Sequence, residues 1–329
     1  MSIALAPRRS GLRGITTKAP PESFFVGSAI FHYLGPAFAV LLFARVDVLG
    51  VAWLRIASAA VVFALWRKPW RGFAVLDRSG RLLLLGLGAV LAVMNSVFYE
   101  AIDRLPLGTV AAIEFLGPIG LAALGARNLR NAGALAVAVP GVYVLTGARF
   151  AGETLGVAFA FANAVLFTLY IVLGHRMAKR ARMGGVDGLA AAMLVAFVVA
   201  TPIGGWAAAS AFTSPIALGA GVGVGVSSSV IPYVCDQLAM RRMSRATYSL
   251  LVALLPATAT VVGVVVLAQV PTPGEVLGVG LVVLGVALHR DPETHPLAAA
   301  RMRPCGSRRR RTTRCVRRPS SLRRRAAGR

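Results

Sequence analysis

Between residues 24 and 289 the sequence runs as long apolar stretches broken by short basic segments, and that pattern excludes most folds. A stretch of about 20 apolar residues matches the hydrocarbon core of a bilayer and leaves a helix no polar face to turn toward water. Ten such stretches predict ten membrane helices, at 24–44, 50–66, 82–102, 106–125, 132–147, 153–174, 188–209, 215–239, 246–268 and 273–289. The runs are continuously apolar and do not alternate, which argues against β-barrel strands. Composition agrees: 57% of residues are hydrophobic, 15% are charged and the mean hydropathy is +0.71, too apolar for an ordinary soluble domain.

Lys and Arg collect on the cytoplasmic side of membrane proteins. With the N-terminus inside, the inner segments carry eighteen of them, and the outer segments carry only Arg45, Arg104 and Arg149. This asymmetry predicts that both termini are cytoplasmic. No small-residue cleavage site follows the stretch that begins near Phe24, so it reads as the first membrane helix and not as an export signal. Residues 1–23 form a basic cytoplasmic N-terminus. At the other end, residues 290–329 hold 14 arginines against Asp291 and Glu293, a net +12 that is half of the formal +24. A block of like charge on this scale reads as a disordered cytoplasmic tail lying on anionic lipid. It has no aromatic residue to stack on bases, so no specific nucleic-acid partner is expected.

Two segments 138 positions apart echo each other. Aligning "AIDRLPLGTVAAIEFLGP" (101–118) with "AMRRMSRATYSLLVALLP" (239–256) pairs Ala101 with Ala239, Arg104 with Arg242, Thr109 with Thr247, Leu116 with Leu254 and Pro118 with Pro256. Five predicted spans separate the copies, and an odd number turns the second copy upside down. The expected architecture is therefore an all-α integral membrane protein of ten helices in two inverted five-helix repeats, 24–147 and 148–289. Carriers that alternate access around a central site are built this way.

Ionisable and polar groups inside spans are costly and mark candidate sites. Glu114 lies mid-helix beside Ala111, Gly117 and Pro118, a small-residue face suited to a helix contact or a cavity, where it could exchange a proton as access alternates. Arg55 is a candidate partner for Glu114 or for a solute carboxylate. Asn95 and Tyr99 share a face at i and i+4. His32, Tyr170, Tyr233, Asp236 and Gln237 complete the candidate solute-binding or coupling set. Gly117, Pro118, Pro232 and Pro256 are candidate helix breakers that would free backbone carbonyls for a ligand. Cys235, Cys305 and Cys315 have no metal-ligand spacing, and no metal or cofactor is expected. No nucleophile elbow or phosphate loop appears, so no enzyme is expected, and the glycines of "GAGVGVGVSSS" (219–229) read as close helix contacts.

The segments "AWLRIASAAVVFALW" (52–66), "FYEAIDRLPLGTVAAIEFLGPIGLAAL" (98–124), "LYIVLGHRM" (169–177), "DGLAAAM" (187–193) and "SSVIPYVCDQLAMRRMSRATYSLLVALLPATATVVGVVVL" (228–267) resemble EamA-type permeases of the drug/metabolite transporter superfamily, in the threonine/homoserine exporter (RhtA-like) group. The resemblance covers nearly all of 24–289 and none of the arginine tail. It implies a ten-helix inner-membrane carrier that exports amino acids or related small metabolites in exchange for protons. Relatives often carry a Glu just before the proline of the second repeat, where this chain has Leu255, and another after the ninth span, where it has Gln269. Glu114 of the first repeat is present. The alternatives are an exporter of another drug or metabolite class and a nontransport membrane protein.

Overall fold

A computed structural model describes residues 20–70, 73, 76–126, 129–147, 153–180, 185–240 and 251–288. Among these residues the secondary structure is entirely helical. The helices are α1 (Pro21–Leu42), α2 (Val48–Arg67), α3 (Arg78–Arg104), α4 (Leu107–Ala126), α5 (Leu129–Gly147), α6 (Thr154–Arg180), α7 (Gly185–Ala200), α8 (Pro215–Gly225), α9 (Ile231–Met240), α10 (Leu255–Leu267) and α11 (Pro273–Leu288). A π-helical turn at Thr201–Gly205 extends α7, and a second at Val226–Val230 joins α8 to α9 in one rod.

The ends of these helices follow from local chemistry. Asp47 accepts a hydrogen bond from the Leu49 N–H at 2.9 Å, and Asp77 accepts one from the Gly80 N–H at 3.0 Å, so each caps the helix it precedes. Thr272 and Glu275 form a reciprocal capping box at the start of α11, with Thr272 N donating to Glu275 Oε2 at 2.8 Å and Glu275 N donating to Thr272 Oγ1 at 3.3 Å. Lys68 and Ala268 end α2 and α10 in the left-handed conformation.

Among the described residues six helices are long and apolar enough to cross a membrane: Glu22–Leu42, Val48–Arg67, Arg78–Arg104, Thr154–Met177, Asp187–Gly205 and Pro215–Cys235. Four apolar helices are shorter, at Leu107–Leu121, Leu129–Leu145, Leu255–Leu267 and Pro273–Leu288. Large apolar side chains such as Leu65, Trp206, Ile216 and Val265 point outward, as a lipid-embedded bundle requires.

The structure departs from the sequence reading at several points. The predicted span 246–268 is interrupted by a turn at 253–254, which separates helical residues 251–252 from α10; Pro256 sits in the first turn of α10 and lacks an N–H to continue an earlier helix. Gly117 and Pro118, expected to break a helix, lie inside an unbroken α4. Pro232 follows directly on the π-helical turn. The middle of the second repeat copy, 241–250, lies outside the described residues, as do residues 1–19 of the N-terminal segment and the arginine-rich tail.

Packing is organised by glycines that let backbones touch. A Cβ at Gly141 on α5 would lie 2.8 Å from the Gly278 carbonyl oxygen, and one at Gly278 on α11 would lie 2.7 Å from that of Gly141. Gly50 on α2 meets the Ala207 backbone beyond α7, and Gly204 meets Trp53. The Trp53 indole also donates to Thr201 Oγ1 at 3.0 Å, while Arg67 and Asp187 pair at 2.7 Å at the other end of the α2–α7 contact. Further contacts set α3 on α6 and α7, α1 on α8, α9 and α10, α2 on α8, α4 on α5, α6 and α10, and α11 on α10. Without lipid-excluded surface to drive association, such small-residue contacts carry much of the packing between membrane helices. Gly278→Leu is expected to lower the thermal unfolding temperature of the detergent-solubilised protein, by about 1–3 kcal/mol of stability. Gly280→Leu, at a site with open space around it, is expected to leave that temperature unchanged.

Candidate functional site

A cavity of about 420 Å³ opens between α1, α2, α3, α4, α6, α7, the π-helical turn at 226–230, α9 and the start of α10. Glu114, Arg55, Asn95, His32, Tyr170 and Tyr233, residues scattered from 32 to 233, all line it. Much of the remaining wall is aromatic or apolar, including Phe25, Met94, Phe98, Phe115, Phe167 and Met193. Tyr99 is not among the lining residues: it is fully buried behind the wall, with the Arg55 guanidinium 5.5 Å above its ring centroid. The side chains of Asp236 and Gln237 lie outside the described residues.

Arg55 projects from α2 toward the π-helical turn. Its Nε donates to Ser229 Oγ at 3.1 Å and its Nη2 to the Ser228 carbonyl oxygen at 3.5 Å. The approach is possible because Gly225 and Gly35 carry no Cβ: one at Gly225 would lie 2.7 Å from the Arg55 carbonyl oxygen, and one at Gly35 would lie 2.8 Å from the Ser228 nitrogen. A π-helical turn widens the backbone at this point, as such turns often do at functional sites.

Glu114 is buried on α4 and faces the Asn163 amide of α6, with the Arg55 charge also acting on it. Arg55 and Glu114 make no direct ion pair. The ion pairs among the described residues are Arg67–Asp187, Arg104–Glu100 and Arg104–Asp103. The cavity thus holds the Glu114 carboxyl and the Arg55 guanidinium apart, with the His32 imidazole also on its wall, in surroundings where an unpaired charge is costly. Asn163 is fully buried, and although it approaches Glu114, neither its Nδ2 nor its Oδ1 completes a hydrogen bond. Asn95 gives its Nδ2 to the Leu91 carbonyl of its own helix at 2.7 Å.

Four prolines lie four residues after lining residues: Pro36 after His32, Pro118 after Glu114, Pro232 after Ser228 and Pro256 after Val252. Proline has no N–H for the carbonyl four residues back, so the regular helix ladder cannot supply that acceptor. At Ser228 the carbonyl is taken by Arg55, and Ser28 Oγ donates to the Pro232 carbonyl at 3.1 Å. An aromatic row closes one flank, with Phe115 edge-on to Phe167 at 6.4 Å and Phe167 stacked on Tyr170 at 6.3 Å. Among the described residues no group of three or more His, Cys, Asp and Glu gathers as a metal site.

Sequence reasoning missed Asn163 and the serines at 228 and 229. Asn163 carried the same signal as Asn95, an amide inside an apolar helix. The serines end a glycine-rich run that reads as packing alone, and nothing in that run announces that Arg55 docks on it.

A helical bundle with outward apolar faces around a solute-sized, charge-bearing cavity defines a multi-pass membrane protein of the carrier class. Residues 154–290 match the EamA-like transporter family. The chain is 31% identical over 253 residues to the threonine/homoserine exporter RhtA of Escherichia coli K12, covering 76% of this chain and 84% of that protein. It is 30% identical over 268 residues to the RhtA of Salmonella typhimurium SL1344, covering 79% and 89%. A solved crystal structure of 21% identity superposes with a TM-score of 0.55 over 81% of this chain and 96% of its own, a likeness of fold. The chain belongs to the EamA-like transporter family.

Proposed function

We propose that the protein is a proton-coupled exporter of amino acids or closely related zwitterions across the inner membrane. The observation that carries this reading is the pair of opposite charges held apart across one cavity. A zwitterion brings a carboxylate to Arg55, where Ser229 helps to fix the guanidinium, and an ammonium group to Glu114 and Asn163. Each buried charge then gains its counterpart, and a solute with only one charge leaves the other unpaired. The aromatic row Phe115–Phe167–Tyr170 accepts the apolar body of the solute.

One carboxylate cannot hold a proton and an ammonium group at once, and that competition supplies the coupling. Facing the cytoplasm, Glu114 releases its proton and binds the solute ammonium. Facing outward, a proton takes the carboxylate and the solute leaves. The cycle moves one proton inward for each solute moved outward. The names of the relatives support export and a threonine-like solute. Leu255 and Gln269, at positions where relatives often carry acids, leave Glu114 as the proton-exchanging acid of this proposal.

The pattern of helix contacts supports two related halves when α8 and α9 count as one rod. Advancing each helix by five rods turns α3 on α6 into α8–α9 on α1, α4 on α6 into α10 on α1, α3 on α7 into α8 on α2, and α4 on α5 into α10 on α11. The pairs α2–α7, α4–α10 and α5–α11 map onto themselves. This is the relation expected of two five-helix repeats, 24–147 and 148–289, inverted in the membrane. The arginine count supports cytoplasmic termini, and the arginine-rich tail would lie on anionic lipid.

In proteoliposomes preloaded with radiolabelled threonine, acidifying the outside is expected to accelerate efflux, and a protonophore to abolish the acceleration. Glu114→Gln should remove the response to the pH gradient while the protein still inserts. Arg55→Gln should cut threonine flux at every pH, by about tenfold or more for a lost charge-assisted contact. PH-driven efflux that survives Glu114→Gln would remove Glu114 from the coupling step.

A further inference from the structure

A second cavity of about 320 Å³ lies at the end of the bundle that carries the α3–α4 and α10–α11 connections. Its position relative to the central cavity can be read from four shared helices. Along α1 the last central lining residue is Pro36 and the second cavity is reached at Val40; along α3 the step is Phe98 to Ile102; along α4, Glu114 to Thr109; along α10, Leu255 to Thr260. Each step is four or five residues, which at 1.5 Å per residue is roughly 6–8 Å of helix. All four steps lead toward the same end, with α4 running opposite to the other three. The two cavities are stacked along one axis, with about one helical turn between them.

The buried residues between them are Ala37 and Ala39 on α1, Tyr99 and Ala101 on α3, Val110, Ala111, Ala112 and Ile113 on α4, and Pro256 and Ala259 on α10. Tyr99 is held by the Arg55 guanidinium on one side and by Phe43 edge-on at 5.9 Å on another.

The second cavity also has a charge preference. Arg104 Nη1 is committed to Glu100, at 2.6 Å from its Oε2 and 2.7 Å from its carbonyl oxygen, and lies 3.6 Å from Asp103. The Asp103 carboxylate is therefore the less neutralised group at the cavity, with Thr109 and Thr260 on the facing helices. Glu275 is occupied by its capping box with Thr272. We propose that this cavity is a second, outer-stage solute site that receives the ammonium end of a solute passing from the central cavity. The inference rests on the transport reading given above.

Val270, in the α10–α11 connection, lines this cavity and is 81% exposed, so a cysteine there does not disturb the core. Full-length Val270→Cys in proteoliposomes preloaded with radiolabelled threonine would be treated from outside with a cationic or an anionic membrane-impermeant thiol reagent of similar size. The unsubstituted protein, treated in the same way, controls for Cys235, Cys305 and Cys315. The expected result is that the cationic label cuts efflux about tenfold or more, the scale of one charge contact, while the anionic label leaves most of the flux. Full flux with both labels, with modification confirmed by mass, would remove the cavity from the path. Equal block by both would overturn its preference for an ammonium group. No threonine flux from the untreated, unsubstituted protein would overturn the transport reading itself, and this inference with it.

Discussion

Holding a guanidinium and a carboxyl group inside a membrane bundle without letting them pair is the constraint around which this structure is arranged. A direct Arg55–Glu114 bridge would satisfy both groups and leave the cavity no charge to offer. Instead Arg55 is seated on Ser229, on the Ser228 carbonyl and over the Tyr99 ring, contacts that hold a guanidinium in place without neutralising it. Glu114 is set on another helix and faces an amide. In a low-dielectric interior both groups gain far more from an ionic partner than they would in water, and in the proposed function that difference is the source of binding energy for a zwitterion.

Much of the local backbone serves this separation. Gly35 and Gly225 bring the π-helical turn against α1 and α2, and Pro232 leaves the Ser228 carbonyl for Arg55. Pro118 withholds an N–H from the Glu114 carbonyl without interrupting α4, which loosens the hydrogen-bond ladder beside the acid. The glycine contacts of α5 with α11 and of α2 with α7 lie away from the cavity and tie the two halves of the chain together.

Most of the fold was legible in hydropathy, because a bilayer demands long apolar helices and the chain supplies them. Glu114, Arg55, Asn95, His32, Tyr170 and Tyr233 were legible for the complementary reason, since a polar group inside such a helix has few destinations other than the bundle interior. Periodicity placed Tyr99 on the face of Asn95, yet only Asn95 reaches the cavity: Tyr99 is drawn into the wall by Arg55 and Phe43, contacts with other helices that a single-helix pattern does not contain. The turn at 253–254 and the two π-helical turns were not legible for a related reason. A hydropathy window averages over about twenty residues, and these features depend on one proline, one turn or one extra residue. Asn163 and the serines were overlooked because their role depends on which residue faces them across the cavity.

The central claim is that the cavity recognises both ends of a zwitterion. Its most direct test is the binding of threonine, N-acetylthreonine and threonine methyl ester to the detergent-solubilised protein by calorimetry. The first retains both charges, the second lacks the ammonium group and the third lacks the carboxylate. The account predicts that threonine binds and that each blocked analogue loses about tenfold or more in affinity. Blocked analogues that bind as tightly as threonine would contradict it, because Arg55 and Glu114 would then not be the groups that hold the solute.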